Sequence, residues 1–257
     1  MKSRTIKAIL IPVISAVISG VVLLFIGQYL SSSKSSESVP VKPTRLEETK
    51  KEPARHDASA SHVPTSSDPE VHKKYLAQGN QYYNLADYDE AIHYYKLAAE
   101  TKPDFAEAFF SLGNVYHKLK NYDKAVYYYK RAVEVQPEYA EAHSGLGRTY
   151  NNLREFDKAI DSFKKAIACN PQYDKAYRSL GNVYYNTGKY QLAVDQFKRA
   201  VEINPQSAET YFDLGDAYRQ LQDWSAAAEA YQQCLRLDAN HAQAQERLRE
   251  MKELSKQ

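Results

Sequence analysis

Apolar residues recur through most of this chain at the spacing of an amphipathic helix. In one stretch, Phe109, Leu112 and Tyr116 follow one another three and four residues apart. A second stretch of the same kind runs from Tyr122 to Val135. Residues three and four apart share one face of an α-helix. The pattern therefore predicts two consecutive helices, each with one apolar face and one polar face.

This pair of stretches occurs five times with a period of 34 residues. The first stretch of each copy contains a glycine: Gly79, Gly113, Gly147, Gly181 and Gly215. An aromatic residue follows each glycine sixteen residues later: Tyr95, Tyr129, Phe163, Phe197 and Tyr231. Glycine inside a helix costs about 1 kcal/mol relative to alanine. Its recurrence at one position therefore predicts that two helices approach closely there.

A fixed period that carries fixed residues indicates stacked copies of one supersecondary unit. The spacing from His72 to His241 resembles that of the tetratricopeptide repeat (TPR) family. The resemblance implies an all-α solenoid, a right-handed superhelix of helix hairpins that bury their apolar faces against their neighbours. We expect residues 69–241 to hold five repeats. Their bounds are 72–105, 106–139, 140–173, 174–207 and 208–241.

The two ends of the repeat region depart from the pattern, as terminal repeats do. Gln78 replaces the leucine of the later copies, and Ala239 replaces the proline that closes the others. We expect residues 242–257 to form a capping helix whose apolar residues share one face. These apolar residues are Ala244, Leu248, Met251 and Leu254.

Residues 8–30 contain no charged side chain. As a helix they would be about 34 Å long, enough to cross a hydrocarbon core of about 30 Å. We therefore expect a transmembrane signal-anchor that contacts the lipid bilayer. The alternative is a cleaved signal peptide, because three small residues, Ser31 to Ser33, follow the apolar stretch. Cleavage would leave a secreted or periplasmic protein.

The charges that flank this stretch predict its orientation. Lys2, Arg4 and Lys7 precede it without an acidic residue, which favours a cytoplasmic segment over residues 1–7 and exoplasmic repeats. A bacterial inner membrane with the repeats on its periplasmic face fits this orientation. Residues 31–68 are rich in Ser, Pro, Lys and Glu and nearly free of aromatic residues. Such a composition predicts a disordered linker.

Composition argues against several classes of function. The chain is 43% hydrophobic and 26% charged with a formal net charge of +2, and its repeats show no basic stripe of the kind that binds nucleic acid. It contains no HExxH or CxxC metal motif, no phosphate-binding loop and no GxSxG nucleophile turn. We expect no catalysis, cofactor or metal. Cys169 and Cys234 are expected to be free because two stacked repeats separate them.

The first helix of each repeat also carries a polar stripe beside its apolar face. By resemblance to the family, this stripe lines the concave groove in which TPR proteins bind extended peptides. The candidate groove residues are Asn80, Tyr83, Phe110, Asn114, His117, Arg148, Asn151, Arg178, Asn182, Tyr185, Asp216 and Arg219.

An asparagine amide both donates and accepts hydrogen bonds, so a row of them can pair with the backbone of a bound peptide. The row resembles the asparagine ladder of the O-linked N-acetylglucosamine transferase superhelix. The alternative is that asparagine after the repeat glycine has a local structural role. A carboxylate clamp of the chaperone-tail type is not predicted, although Arg178 and Asn182 match its first pair. Asp213 stands where the clamp needs a second asparagine, and an acid there repels a carboxylate.

The sequence therefore favours a membrane-anchored, non-catalytic scaffold that binds a segment of a partner protein in its groove. One alternative is a substrate-presenting subunit of a secretion, pilus or envelope-polymer enzyme complex. Another is a cytosol-facing receptor on an organelle membrane. Self-association through the ends of the solenoid is a further alternative. The identity of the partner is not readable from the sequence.

Overall fold

The protein is described here by a computed structural model over residues 69–254. That range contains eleven α-helices and no β-strand. In chain order they are α1 Val71–Asn84, α2 Tyr88–Thr101, α3 Ala106–Lys118, α4 Tyr122–Val135, α5 Ala140–Asn152, α6 Phe156–Cys169, α7 Asp174–Asn186, α8 Tyr190–Ile203, α9 Ala208–Gln220, α10 Trp224–Leu237 and α11 Ala242–Leu254. The first ten form five helix hairpins, numbered 1 to 5, and each second helix packs on the first helix of the next hairpin. The predicted all-α solenoid of hairpins is confirmed.

A contact between a glycine and an aromatic ring holds each hairpin together. An ideal Cβ on Gly147 would lie 2.7 Å from a ring carbon of Phe163, and one on Gly215 would lie 2.6 Å from the ring of Tyr231. The same clash recurs at the other three repeat glycines. Each ring belongs to the second helix of the same hairpin and is at most 2% exposed. The close helix approach predicted from the glycines is confirmed.

Gly145 makes a similar contact that the repeat pattern does not predict. A Cβ there would lie 2.6 Å from the ring of Tyr129, which belongs to the preceding hairpin. The ring of Tyr129 therefore meets glycine on two helices, α3 and α5. Hairpins 2 and 3 are joined by this contact.

Each hairpin turns through one residue with a left-handed backbone. These residues and their φ angles are Ala86 at 60°, Lys120 at 59°, Arg154 at 60°, Gly188 at 74° and Gln222 at 61°. A side chain then caps the second helix in three of the hairpins: Asp87, Asn121 and Asp223 accept hydrogen bonds from backbone N–H groups. Glu155 and Lys189 make no such bond.

The last helix covers the apolar end of hairpin 5. Met251 and Ala244 are fully buried against Cys234 and its neighbours, with Leu248 packed beside them. Cys234 and Cys169 are both free thiols, as the sequence predicts. Burial raises the pKa of Cys234 to about 11, so its thiol stays protonated and unreactive.

The anchor predicted at residues 8–30 and the linker predicted at 31–68 lie outside the described residues. Between residues 69 and 254, no helix combines the length and the apolar character that crossing a bilayer requires.

We predict that Gly147→Leu overpacks hairpin 3 and lowers the free energy of unfolding by about 1–3 kcal/mol or more. The added side chain must displace the buried ring of Phe163, because even a Cβ falls within 2.7 Å of it. Chemical denaturation followed by circular dichroism measures the effect. Lys164→Leu, on an exposed position of α6, is the matched control. A denaturation curve of Gly147→Leu that overlays the wild-type curve would contradict the close approach of the two helices.

We predict that Lys120→Gly stabilises the protein by about 1 kcal/mol, because a residue with a Cβ is strained at a φ of 59°. Gly188→Ala should cost a similar amount, since Gly188 has a φ of 74°. Lys120→Ala keeps the Cβ while removing the charge, so it should leave stability close to wild type. Denaturant midpoints compare the three variants. Equal midpoints for Lys120→Gly and Lys120→Ala would show that the turn carries no strain.

Candidate protein-binding groove

The first helices of the hairpins, α1, α3, α5, α7 and α9, bring the polar stripe together. Neighbouring first helices contact one another along the array. Hydrogen bonds cross between them at a spacing of 35 residues. Nδ2 of Asn152 lies 3.2 Å from Nε2 of His117, and Nε2 of Gln220 donates to the hydroxyl of Tyr185 at 3.2 Å. The stripe is therefore one surface, called here the groove.

The position after the repeat glycine has a structural role in hairpins 1, 2 and 5. There the buried tyrosine of the second helix donates its hydroxyl proton to this position. The three bonds are Tyr95 to Asn80 at 2.8 Å, Tyr129 to Asn114 at 2.7 Å and Tyr231 to Asp216 at 2.7 Å. Each satisfies a hydroxyl that burial would otherwise leave unpaired. Burial raises the pKa of Tyr95 to about 12, so the hydroxyl remains a donor.

Hairpins 3 and 4 differ because their buried rings are phenylalanines. Phe163 and Phe197 have no hydroxyl to donate, and Arg148 and Asn182 occupy the positions after the glycine. Neither side chain makes a hydrogen bond or an ion pair within the described part of the chain. The sequence left two roles open for the position after the glycine, peptide binding and a local structural role, and the hairpins differ in which role they allow. The local structural role is seen in three hairpins, and the remaining two leave their side chains available to a ligand.

These available side chains meet in a pocket in the middle of the groove, the central pocket. Its volume is about 270 Å³. It is lined by His117, Arg148, Asn151, Asn152, Phe163, Ser179 and Asn182. Two of its buried polar atoms, Nδ1 of His117 and Oδ1 of Asn151, have no hydrogen-bond partner among the described residues. An unpaired buried polar atom costs about 1–3 kcal/mol. A ligand or water that satisfied these atoms would recover that free energy.

The protonation of His117 follows from its surroundings. Burial first, and then the positive charge of Arg148, lower the pKa of His117 below its ordinary value. The imidazole is therefore neutral at pH 7. The amide of Asn152 faces its Nε2, and the ring of Tyr122 packs edge-on at 5.6 Å. If the amide donates to Nε2, the proton of the neutral ring lies on Nδ1, which is the unpaired atom.

At the α7–α9 end of the groove, the charges of the two arginines are neutralised by neighbouring acidic residues. Arg178 donates to Asp213 at 2.6 Å and to Glu209 at 3.3 Å. Nε of Arg219 lies 3.5 Å from Oδ1 of Asp216, within ion-pair range but not aligned for a hydrogen bond. Arg178, which matches the first residue of a chaperone-tail clamp in the sequence, is thus already paired with acids.

Asp216 also lies near a second base. Nε of Arg247, on α11, is 3.9 Å from Oδ1 of Asp216. Burial raises the pKa of the neighbouring Asp213, an effect that its bond to Arg178 partly offsets. Arg178 on α7 is therefore paired with acids on α9, and Arg219 lies beside an acid on its own helix.

A second pocket, of about 330 Å³, lies between hairpins 1 and 2. It contains four of the predicted residues: Asn80, Tyr83, Phe110 and Asn114. Phe110 packs against Tyr139 with ring centroids 5.0 Å apart, so its ring is held in place. The side chains of Leu76 and Tyr95 make this pocket more apolar than the central one.

The structure thus divides the twelve predicted residues into three groups. Four line the central pocket, four line the second pocket, and four lie in neither: Arg178, Tyr185, Asp216 and Arg219. Three lining residues of the central pocket were not among them: Asn152, Phe163 and Ser179. The signal for Ser179 was its position three residues before Asn182, on the same helical face.

Models of the tetratricopeptide repeat match the chain across these hairpins. One, described as TPR repeat, matches residues 79–120 and 181–222. Others, described as tetratricopeptide repeat, match residues 106–139, 140–173, 162–195 and 208–241. Together they cover residues 79–241, more than half of the 257 residues. The chain belongs to the tetratricopeptide repeat family.

Several solved structures are similar to it. The crystal structure of MamA protein is 28% identical, with a TM-score of 0.58, over 68% of this chain and 95% of that one. YrrB, described as a TPR protein with an unusual peptide-binding site, is 21% identical, with a TM-score of 0.57, over 72% of this chain and 97% of its own. PilF of Pseudomonas aeruginosa is 18% identical, with a TM-score of 0.63, over 68% and 80%. The last two support the fold alone. No curated protein sequence matches the chain.

Proposed function

We propose that this protein is a membrane-anchored scaffold whose groove binds an extended segment of a partner protein. The observation that carries the proposal is the central pocket. There, Arg148 and Asn182 have no partner in the described residues, and buried atoms of His117 and Asn151 are unpaired. Polar groups without a partner in the protein are free to pair with a ligand, and here four such side chains line one pocket. The protein-interaction fold of the family agrees with this role.

An extended segment fits the chemistry of this pocket. Amides and a hydroxyl line it, and such groups pair with peptide N–H and C=O groups whatever the side chains of the peptide. The second pocket adds aromatic walls from Tyr83 and Phe110, which suit an apolar side chain. One segment lying along the first helices would meet both pockets. Backbone contacts would give it affinity, and the second pocket would give it selectivity.

We assign no catalytic step to the pocket. Its histidine faces an asparagine amide, and neither a carboxylate nor a nucleophilic thiol lies among the lining residues. General base catalysis needs the base within hydrogen-bond reach of the proton it removes and usually a group that orients it. Binding is the role that these side chains support.

The membrane anchor in this proposal rests on residues 8–30 of the sequence. The bases at residues 2, 4 and 7 favour a cytoplasmic N-terminus, which would place the groove on the exoplasmic side. In a bacterium that side is the periplasm. The protein would then recruit its partner to the outer surface of the inner membrane.

We predict that replacing Asn151 and Asn182 together with alanine weakens partner binding by about tenfold or more. Each lost hydrogen bond removes about 0.5–1.5 kcal/mol, and 1.4 kcal/mol corresponds to a factor of ten. The readout is partner recovery on the full-length protein from solubilised membranes, quantified by mass spectrometry at several bait concentrations.

Two further variants control this experiment. Gln191→Ala with Gln232→Ala removes two exposed amides from the second helices and should leave recovery unchanged. Asn114→Ala should instead lower the melting temperature, because it leaves the buried hydroxyl of Tyr129 unpaired. Undiminished recovery on a folded Asn151/Asn182 double variant would place binding outside the central pocket.

We predict that the repeats are accessible from the exoplasmic side. Protease added to intact spheroplasts that carry the full-length protein should digest the repeats while cytoplasmic marker proteins survive. The physical reason is the unopposed positive charge before residue 8. Repeats that resist protease until detergent is added would reverse the orientation.

A further inference from the structure

The predicted set of groove residues contains three arginines, and within residues 69–254 only one of them is unpaired. Arg178 is bonded to Asp213, and Arg219 lies beside Asp216. Arg148 has no acidic partner in the part of the chain that the structure describes. Its side chain is exposed in the middle of the array, at the central pocket.

The residues around Arg148 leave its charge uncompensated. No acidic side chain is among the seven residues that line the central pocket. Apart from Arg148, those residues offer amide N–H groups, a serine hydroxyl and one histidine. The pocket therefore places several hydrogen-bond donors, together with one buried acceptor, Oδ1 of Asn151, around one positive charge.

Arg148 also cannot play the structural role of its counterparts. In hairpins 1, 2 and 5 this position accepts a proton from a buried tyrosine, whereas a guanidinium has donors only. Phe163 removes that requirement in hairpin 3. In hairpin 3, Phe163 and Arg148 stand where hairpins 1, 2 and 5 have a tyrosine and the acceptor of its proton. Arg148 is a donor that faces outwards, and no hydrogen bond within the hairpin explains its presence there.

Extending the proposed function, we propose that the bound segment carries an aspartate or glutamate whose carboxylate pairs with Arg148 in the central pocket. An arginine and a carboxylate form a bidentate, charge-assisted pair, the strong form of hydrogen bond. The amides of Asn182 and Asn152 lie in the same pocket and can donate to the remaining lone pairs of the carboxylate.

The net charge of the pocket favours a carboxylate over a phosphate. His117 is neutral at pH 7 because burial and Arg148 lower its pKa, so Arg148 supplies the single charge among the lining residues. A carboxylate carries one negative charge, whereas a phosphorylated side chain carries about 1.5 to 2. One guanidinium therefore neutralises the carboxylate and leaves a phosphate partly unpaired in the pocket.

An internal acidic side chain fits better than a terminal carboxylate. The second pocket lies on the same stripe between hairpins 1 and 2, and the groove extends past the central pocket onto α9. A segment that lies along both pockets passes through the central one without ending there. The sequence recognised would combine an apolar residue at the second pocket with an acidic residue at Arg148.

The test selects peptides from a phage-displayed library of random 12-residue peptides on the full-length protein in detergent. Peptides that bind wild type should be enriched in Asp or Glu at one position. Selection on Arg148→Glu should replace that enrichment by Lys or Arg. Arg199→Gln, an exposed arginine on the second helix α8, should select the same peptides as wild type.

The strongest peptide is then synthesised for affinity measurements. Arg148→Gln should weaken it about tenfold or more, as should replacing its acid by the matching amide. The two changes combined should cost little more than either alone, because they remove the same pair. Melting temperatures check that the variants remain folded, which is expected because Arg148 makes no hydrogen bond or ion pair within residues 69–254.

Three outcomes would overturn the carboxylate proposal. Groove-binding peptides that show no acidic enrichment would reject it while leaving the scaffold function intact. Tighter binding of a phosphoserine peptide would assign the pocket to phosphate. Binding that is lost when the C-terminus of the peptide is amidated, and not when its acid is replaced, would assign it to a terminal carboxylate. If no selected peptide is sensitive to Arg148, Asn151 or Asn182, the proposed groove function fails as well.

Discussion

The contact between a repeat glycine and a buried aromatic ring is the constraint on which this structure depends. The ring occupies the space where a Cβ would otherwise stand, so the two helices of each hairpin lie at a distance that only glycine permits. Five such contacts produce five hairpins of similar geometry. Because the hairpins are alike, their apolar faces can stack and their first helices can form a continuous surface.

The identity of the same ring also restricts which residue can follow the glycine on the groove surface. A tyrosine ring brings a hydroxyl into the hairpin, and the residue after the glycine must then accept its proton. A phenylalanine ring has no hydroxyl and needs no acceptor, so the residue after the glycine is free to contact a ligand. In this way the interior of hairpins 3 and 4 permits Arg148 and Asn182 to face outwards.

Much of the fold follows from the sequence because each signal is local and recurs. The period of 34 residues marks the hairpins, and the capping roles of Asp87 and Asn121 follow from their place before the second helix. The close approach at the glycines follows from the cost of glycine in a helix. Each of these inferences needs only residues within one repeat.

The groove was less predictable because its state depends on contacts between helices. The bond from Tyr129 to Asn114 joins residues 15 apart in sequence, and the ion pair of Arg178 and Asp213 joins neighbouring hairpins. The sequence placed Asn114 and Arg178 on the polar stripe, but it did not show which residues they pair with. The change from tyrosine to phenylalanine in hairpins 3 and 4 is visible in the sequence and marks the positions after the glycine that have no hydroxyl to accept from. The hydroxyl bonds of the three tyrosines give the physical reason.

The bonds that cross between first helices divide the array unevenly. They join α3 to α5 through His117 and Asn152, and α7 to α9 through Tyr185 and Gln220. Within the described residues no side-chain hydrogen bond of this kind joins α5 to α7, where Asn151 and Asn186 occupy the equivalent positions. The α1–α3 junction also lacks such a bond among the described residues, so two of the four junctions between first helices are bridged in this way. The central pocket lies across the unbridged α5–α7 junction, with Arg148 on α5 and Asn182 on α7. A segment seated there would contact both helices and so hold α5 and α7 together at a junction that no side-chain hydrogen bond of this kind bridges.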